Sequence, residues 1–340
     1  MHTDHEILDQ ANQLQITFNE VINQSFENNQ YDMHLFIGCG TSFYLAASAA
    51  RYFQAVTGEF AVALPASEIF LDTDSVLSGN KKYQVMAISR SGTTSEIIAA
   101  LKFLQGRPNV ETLSITCHGE SEIAKLSDQS IALNHINEKS VVMTQSFSNM
   151  LYALQIFAAK KAASAKDLDE LKAVPKLTGS LLDNWEKTKE VADQLSYQRF
   201  VFLGSGYYNG IAKEATLKLK EMTQTECESY SNLEFRHGPI SIVDASTVVV
   251  LLSKPETEAL DQDLVRDIQK VGGKVLTIGP VSETFTSDYT IQLEASLANR
   301  NRLVLYIPHL QLLAYHRAIK LGYNPDQPRN LTQVVTVNLA

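Results

Sequence analysis

The stretch His34-Leu35-Phe36-Ile37-Gly38-Cys39-Gly40 sets the reading of this chain, because it returns in kind as Phe200-Val201-Phe202-Leu203-Gly204-Ser205-Gly206. Each is a short apolar strand closed by Gly-x-Gly. An Ala-rich helical stretch follows each one, Ala46 to Phe53 in the first and Ala212 to Leu219 in the second. Working outward, Val85 to Ser89 matches Val249 to Ser253, and Leu113-Ser114-Ile115 matches Leu276-Thr277-Ile278, at an offset of about 165 residues. A kept order of elements at a steady offset is what duplication of one unit predicts.

Both halves alternate short, continuous apolar runs with helical periodicity. Strands are predicted near 34–38, 60–64, 83–89, 110–116 and 129–133, then near 199–204, 226–230, 246–253, 274–279 and 288–293. Strands that are apolar on both sides and separated by helices belong to parallel sheets covered on both faces. The expected fold is α/β, with two doubly wound parallel-sheet domains related by internal duplication. The first is placed at 1–163 with an N-terminal helix. A helical linker with Pro175 and the lone Trp185 follows at 164–196, and the second domain with its C-terminal tail at 197–340.

Composition narrows the function classes. The chain has 340 residues, of which 44% are hydrophobic and 20% charged, which is ordinary for a water-soluble globular protein. A formal net charge of −9 argues against non-specific nucleic-acid or anionic-membrane binding. The polar start Met1-His2-Thr3-Asp4-His5-Glu6 has no signal-peptide pattern and no apolar run reaches spanning length, so a cytoplasmic location is expected. Cys39, Cys117 and Cys227 lack metal-ligand spacing, which suits reduced thiols.

Ser89-Arg90-Ser91-Gly92-Thr93-Thr94-Ser95 stands where the strand Val85 to Ile88 hands over to a helix beginning near Thr94. First-turn amides of a helix lack intrahelical acceptors and the dipole is positive there, so the junction suits an anion. Five hydroxyls in seven residues add donors, Gly92 permits close approach, and Arg90 offers a fixed charge. By itself the stretch fits a hydroxyl-rich N-cap equally well. The second half has Ser253-Lys254-Pro255-Glu256-Thr257-Glu258 in this place, a poor phosphate nest, so one ligand per chain is expected.

Together, Cys39-Gly40-Thr41-Ser42, Ser89 to Thr94, Leu217-Lys218-Leu219-Lys220-Glu221, Glu234-Phe235-Arg236-His237-Gly238-Pro239 and Asp326-Gln327-Pro328-Arg329-Asn330-Leu331 resemble the double sugar isomerase (SIS) domain proteins, whose domains are flavodoxin-like. The motifs are most similar to the isomerase part of glucosamine-6-phosphate synthase and to stand-alone aminosugar-phosphate deaminase/isomerase proteins. The resemblance implies that Cys39, Gly40, Thr41, Ser42, Ser89, Arg90, Ser91, Gly92, Thr94 and Gln333 bind substrate, with Ser42, Ser89, Ser91 and Thr94 on the 6-phosphate of a hexose phosphate. Arg90 stands in place of a frequent glutamine. Thr144 and Ser146, in Val141-Val142-Met143-Thr144-Gln145-Ser146-Phe147, are implied sugar contacts, although helix capping explains them as well.

Lys218 and Glu221 lie three apart on a predicted helix, with Glu214 one turn before Lys218. Such residues usually form a solvated ion-pair stripe. The resemblance instead implies that Glu221 moves a proton between C1 and C2, a role that partial burial would favour, and that Lys218 stabilises charge on the enediol oxygen. It implies that His237, ahead of Gly238-Pro239 at a helix entry, opens the sugar ring and does so in a neighbouring subunit's site. Shared sites imply a homodimer, for which the apolar helix expected from Leu303 to Leu313 offers surface to bury.

The pattern breaks in the tail, where Gln333 falls at or next to a lysine of the synthase. Glutamine forms no Schiff base. With no glutaminase region and His2 where a cysteine would stand, the synthase reaction is not expected. What is expected is a phosphosugar isomerase acting on a hexose or aminohexose 6-phosphate by ring opening and C1/C2 proton transfer, with ammonia loss when C2 carries an amine. Fructosamine 6-phosphate deglycation and a non-catalytic phosphosugar-binding module remain open as alternatives. Proton transfer through an enediol needs no metal or organic cofactor, so none is expected.

Overall fold

Each parallel sheet follows from a run of strands whose side chains are buried on both faces. In the computed structural model, which describes residues 1–27, 29–334 and 337, the first sheet comprises β1 (Met33–Gly38), β2 (Ala61–Pro65), β3 (Tyr83–Ile88), β4 (Val110–Thr116) and β5 (Gln129–Ala132) in the order β2-β1-β3-β4-β5. The second comprises β6 (Arg199–Leu203), β7 (Cys227–Tyr230), β8 (Thr247–Leu252), β9 (Lys274–Gly279) and β10 (Tyr289–Gln292) in the order β10-β9-β8-β6-β7. Every pairing is parallel, and once the second set is renumbered the two orders are the same. The duplicated, doubly wound α/β fold expected from the sequence is the one observed.

Helices α1 (His2–Leu8), α2 (Gln10–Asn23), α3 (Thr41–Thr57), α4 (Glu68–Leu71), α5 (Thr73–Val76), α6 (Ser95–Leu104), α7 (Glu122–Leu126) and α8 (Gln145–Lys161) belong to the first part of the chain. Leu35, Ile37, Val85 and Ala87 point to one face of the sheet, where they pack with Ile69, Ile97, Leu101 and Ile123 from α4, α6 and α7. Phe36 alternates to the other face and meets Phe53 of α3, which stacks on Phe157 of α8. The second half repeats the plan with α9 (Ala165–Leu182), α10 (Glu186–Asp193), α11 (Tyr208–Thr223), α12 (Glu258–Lys270) and α13 (Ile307–Lys320). Val201, Leu203, Val249 and Leu251 pack with Leu264, Val265 and Ile268 of α12, while Phe200, on the opposite face, lies under Arg317 of α13.

The two Gly-x-Gly turns do equivalent work. A Cβ on Gly38 would lie 2.4 Å from the backbone of Ser42, and one on Gly204 2.4 Å from the carbonyl oxygen of Tyr208. Both strands therefore pass into their helices at a distance that only glycine permits.

Two compact units account for the chain, 1–11 with 140–142 and 174–331, and 12–139 with 143–173 and 332–340. Each unit is discontinuous in the chain and takes in one terminal segment. The Asp326 carboxylate accepts from the Thr3 hydroxyl at 2.6 Å and from the amides of His2 and Thr3, which ties α1 to the second half's unit. The segment read as a linker carries the helices α9 and α10. The stretch from Leu303 to Leu313 departs from expectation. It is a 3-10 segment, Asn299–Tyr306, that runs into α13, and Leu303, Val304, Leu305, Leu312 and Leu313 are buried within the chain, so it offers no apolar surface to a partner.

Among the described residues no helix is long and apolar enough to cross a membrane.

Candidate active site

In the first sheet the strand order reverses between β1 and β3, and the loops after those adjacent strands bound the crevice in which doubly wound folds take ligands. Cys39 to Ser42 follow β1. Gly40 is the N-cap of α3, Thr41 and Ser42 are buried in its first turn, and the Ser42 amide donates to the Cys39 carbonyl at 3.1 Å. Burial pushes the Cys39 thiol up to about 12, with Glu96 adding to it.

Ser89 to Ser95 follow β3, and Thr94 is the N-cap of α6. Ser89 Oγ and Thr94 Oγ1 are 2.8 Å apart, the Gly92 amide donates to Ser89 Oγ at 3.1 Å, and the amide and hydroxyl of Thr93 donate to Ser91 Oγ at 3.2 and 3.1 Å. The loop is thus preorganised by its own hydroxyls, next to the first-turn amides of a ten-residue helix. Gly92 has φ +66, and a Cβ there would fall 2.1 Å from Ser121 Oγ. Ser121, a buried hydroxyl with no partner among the described residues, was missed in the sequence because it stands outside every motif.

Arg90, Thr144 and Ser146, expected as substrate contacts, have partners within the chain. All three converge on Glu138, whose carboxylate is 1% exposed. Arg90 Nη1 donates to Glu138 Oε2 at 2.8 Å, and Thr144 donates to Oε1 through its amide at 2.8 Å and its hydroxyl at 2.9 Å. The Ser146 amide donates to the same oxygen at 3.0 Å and its hydroxyl to the other. Glu138 therefore caps the start of α8 and answers the guanidinium, so these groups serve a carboxylate of the chain itself. Gln333 sits at the same place: its carbonyl accepts from Arg90 Nη2 at 3.2 Å and its Nε2 donates to the Glu138 carbonyl at 3.4 Å.

In the second half, Glu214, Lys218 and Glu221 occupy successive turns of α11. Lys218 is 1% exposed and Glu221 17% exposed. The Lys218 ammonium lies 3.3 Å from Glu214 and is hydrogen-bonded to Glu221. Burial by itself would lower its pKa, but the two carboxylates outweigh burial and the net shift is upward. Lys218 is consequently a buried, persistent cation beside a partly exposed carboxylate. The arrangement differs from the solvated stripe that such a sequence usually forms.

His237 follows a short 3-10 turn, Glu234–Arg236, and is exposed; Gly238 then opens a second 3-10 turn, Pro239–Ile242, where an α-helix entry was expected. The turn holds to the sheet through Phe235, which packs with Val201, Leu203 and the α12 residues Leu264 and Val265. Helix α11 packs with α13 on the opposite face. His237 and the Lys218–Glu221 pair therefore lie on opposite faces of their own sheet and are not brought together.

Comparison with known proteins gives the family. The SIS domain model matches residues 32–160 and again 196–315. The chain belongs to the SIS domain family. It is similar to the glucosamine-6-phosphate deaminase of Thermotoga maritima, a solved structure with 30% sequence identity and a TM-score of 0.83 that covers 99% of this chain and 100% of that one. It is similar to the C-terminal domain of glucosamine-fructose-6-phosphate aminotransferase from Francisella tularensis, at 25% identity and a TM-score of 0.88, covering 96% of this chain and 98% of that one. The full glutamine–fructose-6-phosphate aminotransferase of that organism is 32% identical over 317 residues, which are 88% of this SIS chain and 51% of the relative. The chain spans about half the length, or less, of the curated relatives it matches.

Proposed function

We propose that this SIS protein is a phosphosugar isomerase of the aminosugar-phosphate deaminase/isomerase kind, acting on a hexose or aminohexose 6-phosphate. The observation that carries the reading is the buried Lys218 held by Glu214 and Glu221. A carboxylate next to a fixed cation can take the proton from C2 and return it at C1 while the cation stabilises the enediolate oxygen. The upward shift at Lys218 supports an electrostatic role over an amine nucleophile. Phosphate recognition is assigned, within its own unit, to Ser42, Ser89, Ser91, Thr94 and the first-turn amides of α6. His237 opens the ring, and when C2 carries an amine the proton shift leaves an imine at C2, to which water adds before the C–N bond breaks and ammonia leaves.

A homodimer with shared sites belongs to the proposal. Its support is the placement of His237 and Glu221 on opposite faces of one sheet, which suits a histidine that serves a second copy. Glu221→Gln and His237→Ala chains, mixed and allowed to exchange subunits, are expected to regain part of the activity that each lacks. No recovery after demonstrated exchange would count against shared sites. The substrate is tested with a panel of hexose, aminohexose and fructosamine 6-phosphates, read for ammonia release and ketose formation. Turnover of none of them would remove the enzyme reading, and turnover of the fructosamine phosphate alone would replace it with deglycation.

A further inference from the structure

The loop after β8 is the duplicate of the phosphate loop after β3, and its hydroxyls have a different partner. Ser89 and Thr94 in the first half bond one another. In the second half, Ser253 Oγ and Thr257 Oγ1 each donate to Asp261 Oδ2 at 2.8 Å, and Asn232 Nδ2 donates to Asp261 Oδ1 at 2.9 Å. Asp261 lies in the first turn of α12 and is 1% exposed. An anion belonging to the chain thus occupies the cradle at the start of the helix, where the first half keeps hydroxyls and amides for a ligand. A carboxylate this buried is expensive unless its bonds do something that water cannot.

The bond to Asn232 indicates what that is. Asn232 begins the turn that carries His237, and its amide donates to Ser205 Oγ at 2.9 Å. Phe235 is fully buried among α12 side chains, and Arg236 pairs with Asp267 at 2.5 Å. Three anchors within five residues therefore land on α12, and His237 is the next residue in the chain. The Asn232–Asp261 bond is the buried one and Arg236–Asp267 is exposed, so Asp261 is the stronger clasp.

We propose that Asp261 is a positioning residue for His237, and that the second half's duplicate of the phosphate cradle has become the clasp that fixes the histidine loop. The inference rests on the ring-opening role given to His237 above. It is tested in the full chain with Asp261→Ala, Asn232→Ala, the double variant and the conservative Asp261→Asn. Hydrogen–deuterium exchange is read over 231–238 with 89–95 as internal reference, alongside kinetics on the phosphosugar turned over in the panel. Both alanine variants should exchange the 231–238 amides at least about tenfold faster with 89–95 unchanged. Their kcat should fall by about tenfold or more at similar KM, the double variant should lose no more than either single one, and Asp261→Asn should recover part of the loss. Unchanged loop exchange in both alanine variants overturns the inference. So does a loosened loop with parental turnover when His237→Ala is inactive. An active His237→Ala variant would instead overturn the role given to His237, and the exchange result alone would then decide the clasp.

Discussion

Arg90 and Glu138 form a buried ion pair at 2.8 Å, with side-chain exposures of 8% and 1%. The pair joins the loop after β3 to the start of α8, since the same carboxylate also accepts from Thr144 and Ser146. Glu138→Ala would strand a buried guanidinium and several donors, so a loss of roughly 3–5 kcal/mol of stability is expected, measured by denaturant unfolding. Glu138→Gln keeps the shape and some acceptor capacity and should lose less. Equal stability of Glu138→Ala and the parent would show that the pair holds nothing in place.

Phosphate affinity is expected to reside in the Ser89 to Thr94 loop. Ser91 and Thr94 changed together to alanine remove a hydroxyl on each side of Gly92 without touching the Arg90–Glu138 pair. Calorimetry should find hexose 6-phosphate binding weakened by about tenfold or more, the scale of one or two hydrogen bonds to a charged group. Parental affinity in the double variant would move the phosphate elsewhere.

Glu221→Gln preserves volume and removes the proposed base. Turnover should fall by roughly a hundredfold or more while KM stays close to the parent's, and solvent deuterium should no longer enter the sugar. If the variant still exchanges deuterium at the parental rate, the enediol proton passes through another group.

Acid sensitivity should have a component from His309. Burial lowers its pKa to about 4, and its ring Nδ1 lies 2.8 Å from the buried Thr188 hydroxyl. The folded value lies below the unfolded one of about 6.5, so the folded state binds fewer protons between the two. The contribution is fully present above pH 6.5 and is lost as the pH falls towards 4. A shift of this size corresponds to about 3 kcal/mol. His309→Gln should therefore show a flatter loss of stability from pH 6.5 to pH 4 than the parent, measured by denaturant midpoints. Parallel curves would mean that His309 takes up its proton in both states alike.

Much of the site was legible because its residues sit at element ends that the local pattern marks. Ser89 to Thr94 and Cys39 to Ser42 follow strands, and a strand followed by a glycine and a helix start is visible within ten or so residues. Lys218 and Glu221 were legible as neighbours from their spacing. Their burial was not, because it depends on what packs over α11. Glu138 and Ser121 carried no signal, since Glu138 meets Arg90 48 residues away and Ser121 meets Gly92, and neither pair falls in one motif.

The sequence by itself determined the duplication, the strands and the parallel α/β class. Apolar runs, helical periodicity and Gly-x-Gly turns are local consequences of burying both faces of a sheet. Tertiary structure alone decided which charges meet. Arg90 and Glu138 are 48 residues apart and Asn232 and Asp261 are 29 apart, so neither pair has a periodicity to betray it. It also decided that His237 and Glu221, sixteen positions apart in the chain, stand on opposite faces of one sheet, because the strand order reverses after β7 and right-handed crossovers running in opposite directions cover opposite faces. Hydrophobic pattern specifies that a face is covered. Which polar groups are then sealed together is set by the need of every buried donor and charge for a partner, and that partner is found in space, not in sequence.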